Sequence, residues 1–122
     1  TVDHPLIPHG ISVILNTAAV VRFTAGSDPI RHLEAARALG ADISDADPLD
    51  GGQAGEILAD RVLHFMETLG MPNGLAAVGY TDSDIPGLVE GTLPQHRVTK
   101  LAPREATRED LLELFQNSMQ AW

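Results

Sequence analysis

The sequence of 122 residues contains no cysteine. Disulfide bonds and thiolate zinc sites are therefore excluded, and any bound metal must be held by His, Asp or Glu side chains. Residues 1–5 also lack the cationic start and apolar run of a secretory signal. Both absences suit a reducing compartment without export, and we expect a cytoplasmic location.

Basic side chains are scarce. Eight Lys and Arg stand against 17 Asp and Glu, which gives a formal net charge of −9. This balance disfavours binding to a nucleic-acid backbone or to an anionic membrane surface. The most apolar stretch, residues 11–21, is interrupted by polar side chains and falls short of the roughly 20 residues that a bilayer span needs. We therefore expect neither nucleic acid nor a membrane as a partner.

Strand signals are also weak, since residues 76–80 and 97–101 are too short and too isolated to build a sheet. Apolar residues instead recur frequently at helical spacing. Asp28 before Pro29, and Thr107 with Asp110, are capping residues that predict helix starts. The acidic, glycine-containing residues 41–55 read as a connection inside one domain. The sequence predicts an all-α bundle in a single domain, 1–122, with about five helices at residues 10–23, 29–39, 56–69, 85–93 and 107–122.

Motifs that would complete a catalytic site are absent. No Gly-x-Gly-x-x-Gly turn is present to hold a nucleotide, and no Gly-x-Ser-x-Gly elbow is present to expose a serine. Four aspartates lack the spacing and the closing Glu of a calcium loop, which favours a solvated loop: Asp42, Asp45, Asp47 and Asp50. No catalytic residue can therefore be assigned from motifs.

Among the five histidines, His9 has the most informative context, because Pro8 and Gly10 place it where the apolar helix begins. The partial positive charge of a helix N-terminus favours neutral imidazole, the form that binds a metal. The alternative is a histidine that merely hydrogen-bonds a loop. His4 is not its helical partner, since prolines separate them, and it is expected in a loop, where it could instead support a metal ligand. The other three are expected on the solvated surface: His32, His64 and His96.

Three short sequence segments, referred to below as strings, resemble segments of a known protein family. Residues 3–10 read DHPLIPHG, residues 74–80 read GLAAVGY, and residues 103–107 read PREAT, ahead of the last amphipathic helix. In this order they resemble the C-terminal part of the iron-containing alcohol dehydrogenases, over essentially the whole chain. Residues 97–101 and the first string most resemble the hydroxyacid-oxoacid transhydrogenase branch of that family.

The resemblance implies the dehydroquinate synthase-like fold, in which an N-terminal α/β domain binds NAD(P) and a C-terminal helical domain holds Fe²⁺ or Zn²⁺ through one Asp and three His. His9 matches the last of these ligands. The remaining ligands, the nucleotide-binding domain and the first part of the helical domain would lie upstream of Thr1. By the same resemblance, residues 97–101 run close to the substrate cleft. The substrate would be an alcohol or hydroxy acid, such as 4-hydroxybutyrate, oxidised while a 2-oxo acid is reduced.

Since the chain opens without Met, we expect a processed or truncated C-terminal piece that is inactive alone. Two alternatives stay open at this point. The chain could be a free-standing helical module that binds another protein, or a module that stores or senses a metal. Assembly into a homo-oligomer is also left open.

Overall fold

The computed structural model describes residues 7–122, and within them the chain is helical and has no strand. The prediction of an all-α fold is confirmed. Between residues 7 and 122 six α-helices follow one another: α1 His9–Thr24, α2 Pro29–Ala38, α3 Gly51–Thr68, α4 Ile85–Thr92, α5 His96–Thr99 and α6 Arg108–Ser118. Short 3-10 turns at Ala25–Ser27, Leu75–Val78 and Asp82–Asp84 connect them.

Helix α1 joins two parts of the bundle. It contacts α3 along one face and α6 along another. Leu15 of α1 is buried against Val62 and Met66 of α3 and against Leu75. A second cluster joins α4 to α6 through three buried side chains, Ile85, Val89 and Leu111. Burial of these side chains stabilises the bundle, at about 1.5–3 kcal/mol for each large one.

Two helices begin at the positions that their capping residues indicate in the sequence. Asp28 accepts a hydrogen bond from the Arg31 N–H at 3.1 Å, and Pro29 occupies the first turn of α2. At the start of α6, the Asp110 carboxylate and the Thr107 side chain form a reciprocal capping box. Each cap satisfies a backbone N–H that has no partner inside the helix, which fixes the position of the helix start.

The start of α3 differs from the prediction. The helix begins at Gly51 rather than after Gly55, because Asp50 caps it by accepting the Gln53 N–H at 3.0 Å. The glycines allow close packing: a Cβ on Gly51 would lie 2.7 Å from the Gly26 Cα, and one on Gly55 would lie 3.1 Å from the Arg22 Cα. They are points where α3 contacts the end of α1 and the 3-10 turn that follows it, not signs of a loop.

The end of the chain also differs. Helix α6 ends at Ser118 instead of continuing to Trp122. The backbone N–H groups of Ala121 and Trp122 instead donate to Asn73 Oδ1 at 2.7 and 2.8 Å. The two strand-like segments are short helical turns, since residues 97–99 lie in α5 and residues 76–78 lie in a 3-10 turn.

The length argument against a membrane span does not hold for α1. Together with the 3-10 turn that follows it, the stretch His9–Ser27 is long and apolar enough to cross a bilayer by length and composition. Leu15, Ala18 and Ala19 are buried against the neighbouring helices, but only 28% of the most apolar window in this stretch is buried. Val13 and Val20 remain 54% and 41% exposed, so the helix is only partly surrounded by residues 7–122.

Candidate functional site

His9 is the first residue of α1, and its side chain is exposed. Pro8 has extended backbone angles, φ −54° and ψ 142°, so the chain turns into the helix at His9. Ser12 secures this turn: its N–H donates to the Pro8 carbonyl at 3.0 Å, and its hydroxyl donates to the His9 carbonyl at 2.7 Å. Within residues 7–122 no side chain hydrogen-bonds the imidazole, which leaves the ring accessible to a ligand.

A groove of about 510 Å³ lies beside this helix start, between the N-terminal half of α1 and the C-terminal half of α3. Its lining contains no charged side chain and includes Pro8, Ile11, Ile14, Phe65 and Leu69. Phe65 and Leu69 are 40% and 69% exposed. Walls of this kind can bind an apolar surface but cannot orient a polar reacting group. The lining of this groove therefore supplies no group for chemistry.

The described residues do not assemble a metal centre by themselves. Across residues 7–122 no group of three or more His, Asp or Glu side chains is close enough to hold an ion. Metal centres ordinarily use three or four protein ligands. His9 can therefore serve only as one ligand of a set completed elsewhere. His4 lies outside the described residues.

The prediction of a solvated surface position is wrong for His32. This half-buried side chain uses both ring nitrogens: Nδ1 lies 2.8 Å from the Asp28 carbonyl oxygen, and Nε2 lies 2.7 Å from Thr24 Oγ1. The ring joins the end of α1 to the start of α2 and has no nitrogen free for a metal. His64 and His96 are exposed, as predicted.

The acidic loop makes local turns. Asp42 accepts the Ser44 N–H at 3.0 Å, and Asp47 accepts the Leu49 N–H at 2.9 Å. The hydrogen bonds from Ser44, chiefly from its backbone N–H, lower the pKa of Asp42. These contacts stabilise turns between α2 and α3, as expected for a solvated loop.

Of residues 97–101, two lie close to the C-terminal half of α1. Val98 and Thr99 of α5 line a cavity together with Val20 and Phe23. Val20 is 11 residues beyond His9 in the same helix, a separation of about 16 Å at 1.5 Å per residue. The role of this segment in a substrate cleft stays a prediction.

Arg104, in the PREAT string, has a structural role that its position in the sequence did not reveal. Its guanidinium carbon lies 4.0 Å from the centroid of the Phe23 ring, and its Nη1 donates to the Phe23 carbonyl at 3.3 Å. The same guanidinium pairs with Asp110 at 3.4 Å. Hydrogen bonding to Thr107, with this guanidinium as a smaller influence, lowers the pKa of Asp110. Arg104 therefore connects the end of α1 to the start of α6.

Comparison with known proteins identifies the class to which this helical fold belongs. Residues 5–119 match the Fe-containing alcohol dehydrogenase family, C-terminal. A solved structure of 1,3-propanediol oxidoreductase superposes on 92% of this chain with a TM-score of 0.76, at 20% identity, and the match covers 28% of that protein. The chain belongs to the iron-containing alcohol dehydrogenase family, as the three strings indicated.

Similar proteins within this family bear the name of the transhydrogenase branch. The chain is 56% identical to the hydroxyacid-oxoacid transhydrogenase of Xenopus tropicalis and 54% identical to that of Homo sapiens, over 99% of this chain in each case. It is also 56% identical over 93% of its length to the probable hydroxyacid-oxoacid transhydrogenase of Dictyostelium discoideum. It spans 26%, 25% and 20% of these three relatives, respectively.

The expected cytoplasmic location is wrong. Each of these relatives is named as a mitochondrial protein. The inference failed because a lack of cysteine suits any compartment in which a protein needs no disulfide, and so it does not distinguish the cytoplasm from an organelle.

Proposed function

We propose that this chain is the C-terminal helical part of a mitochondrial, metal-dependent hydroxyacid-oxoacid transhydrogenase. The observation that carries the proposal is 54–56% identity to proteins of that name over 93–99% of the chain. The reaction would pass hydride from a hydroxy acid such as 4-hydroxybutyrate to a 2-oxo acid, with NAD(P) as the carrier. The nucleotide would be bound mainly by an N-terminal domain of the longer polypeptide, whose helical domain would also begin upstream of residue 1.

In this proposal His9 is one metal ligand. Support comes from its exposed imidazole at the first residue of α1 and from the Pro-His-Gly context. Imidazole suits both Fe²⁺ and Zn²⁺, so the residue fits either ion as a single ligand. The bound metal would polarise the oxygen of the alcohol or carbonyl substrate.

The packing of α1 explains how this chain would hold the ligand in place. Leu15 is 2% exposed and contacts Val62 and Met66, which anchors the first half of α1 on α3. Ser12 fixes the His9 backbone through the 2.7 Å hydrogen bond to its carbonyl. A ligand held on a packed helix keeps its direction better than a ligand on a free loop.

The metal assignment can be tested in the longer protein by replacing His9 with Ala and measuring bound iron and zinc per polypeptide. Loss of a ligand should weaken metal affinity by at least the roughly 10–100-fold that is typical of changes to residues supporting ligands. His64→Ala is the matched control, because His64 is exposed on α3 and should leave the metal content unchanged. Equal metal content in the His9→Ala protein and the wild type would remove His9 from the ligand set.

The isolated chain should not catalyse the reaction. Residues 7–122 bring together no group of three metal-binding side chains, and the sequence has no nucleotide-binding glycine motif. The first of these observations also disfavours the storage or sensing module, which would need a complete ligand set of its own.

A further inference from the structure

A second cavity, of about 330 Å³, lies between α1, α5 and α6. Its walls are mainly apolar, with Val20 and Phe23 from α1, Val98 from α5, and Leu111 and Phe115 from α6. Val20 and Val98 are 41% and 49% exposed, so the cavity can be reached from the surface. We propose that this cavity binds a small neutral molecule that has an apolar body and one hydrogen-bond donor, with Asn16 as the acceptor.

The evidence for the donor is an unpartnered acceptor. Asn16 lines the cavity, and its Oδ1 is buried without a hydrogen-bond partner. Its amide nitrogen donates to the Ser12 carbonyl at 3.3 Å, which orients the amide and leaves the oxygen as the unsatisfied atom. Buried polar atoms in native proteins are nearly always hydrogen-bonded to protein or to water, so this oxygen is the atom that a water or the donor group of a bound molecule would satisfy.

The other polar groups of the cavity already have partners. Each of four lining hydroxyls lies within hydrogen-bond distance of the carbonyl oxygen four residues earlier: Thr24 of Val20, Thr92 of Leu88, Thr99 of Gln95 and Ser118 of Leu114. The one charged lining residue is Arg104, whose guanidinium stacks on Phe23 and pairs with Asp110. Among the described residues, Asn16 Oδ1 is therefore the buried side-chain atom without any hydrogen-bond partner, and the lining has no uncommitted charge, which favours a neutral ligand over an anion.

The dimensions set the ligand size. An apolar cavity of about 150 Å³ holds one benzene ring, so 330 Å³ accommodates a substituted ring or a comparable aliphatic group. His9 does not line the cavity, and Asn16, the lining residue of α1 nearest to it in sequence, lies seven residues beyond it, about 10 Å along the helix. The proposal thus concerns a second site and does not rest on the proposed reaction.

A pair of equal-sized probes tests the proposal on the 122-residue chain. p-Cresol and p-xylene have the same number of heavy atoms, but only p-cresol carries a hydroxyl donor, which stays protonated at pH 7. Each is titrated while the backbone amide signals are followed by ¹H–¹⁵N NMR. We expect p-cresol to bind about three- to tenfold more tightly than p-xylene, as one additional hydrogen bond implies. The shifted signals should be those of Val20, Val98 and Leu111.

Three variants make the result decisive. Asn16→Leu should abolish the preference for p-cresol while p-xylene still binds. Asn117→Leu is the matched control on an exposed position of α6 and should keep the preference. Val98→Trp should block the opening and weaken both probes. The proposal is overturned if neither probe shifts signals at the cavity, or if Asn16→Leu keeps the preference for p-cresol.

Discussion

Gly74 allows the end of α6 to approach the connection between α3 and α4. Its φ of +80° and ψ of −175° fall in a region that glycine occupies almost alone. A Cβ there would lie 2.5 Å from the Met119 carbonyl oxygen and 2.7 Å from the Ser118 carbonyl oxygen. Both obstacles are backbone atoms, so no rotation of a side chain can relieve the overlap.

Gly74→Ala should therefore destabilise the chain through two effects. Backbone strain costs about 1–3 kcal/mol, and forcing extra volume into a packed contact costs about another 1–3 kcal/mol. The sum, about 2–6 kcal/mol, is a large share of the 5–15 kcal/mol that typically stabilises a domain. The assay is urea unfolding followed by circular dichroism, with the free energy taken from the midpoint and slope of the transition.

Gly79→Ala separates the two effects. Gly79 also has a positive φ, +101°, but a Cβ there would meet no atom within 4 Å. This variant should lose only the roughly 1–2 kcal/mol of left-handed backbone strain. Gly87→Ala, in the interior of α4 with open space around it, should instead stabilise the chain by about 0.5–1 kcal/mol. Equal losses for Gly74→Ala and Gly79→Ala would refute the proposed contact with the end of α6.

Two further predictions concern polar groups. Asn16→Leu should raise the free energy of unfolding by about 1 kcal/mol, since it removes a buried acceptor without a partner; a loss of stability in urea unfolding would contradict the unpartnered state of Oδ1. The folded-state pKa of Asp110 is lowered, so its carboxylate should stabilise the chain above the unfolded-state pKa, near 3.9, and lose this effect as the pH falls through the folded-state value. The difference in the free energy of unfolding between wild type and Asp110→Asn should accordingly be larger at pH 7 than at pH 2.5. A difference that is independent of pH would show that the charge of the Asp110 carboxylate does not stabilise the chain.

Local signals in the sequence predicted part of the fold. The caps at Asp28 and Thr107 act within one helical turn, and the structure places helix starts at both. The early start of α3 was missed because Gly51 packs against the 3-10 turn after α1 and Gly55 packs against α1 and that turn, contacts that lie far away in the sequence. The end of α6 was missed for a similar reason, because the acceptor at Asn73 lies in the connection after α3, 48 residues before Ala121 in the sequence.

At the candidate site, too, local features could be predicted from the sequence and contacts between distant segments could not. The position of His9 at a helix start followed from its neighbours in the sequence. The partners of His32 and the unpartnered oxygen of Asn16 depend on which helices meet, so no local pattern could reveal them. The location of the protein was misjudged because an absence of cysteine does not identify a compartment.

Isotope transfer tests the proposed function most directly. The longer protein, loaded with metal, is supplied with 4-hydroxybutyrate deuterated at its carbinol carbon and with a 2-oxo acid, and the product 2-hydroxy acid is analysed by mass spectrometry. We predict that deuterium appears in the product for the wild type and for His64→Ala, and that His9→Ala lowers the rate of transfer at least tenfold. Absence of deuterium transfer by the wild type, or an unchanged rate in His9→Ala, would contradict the account.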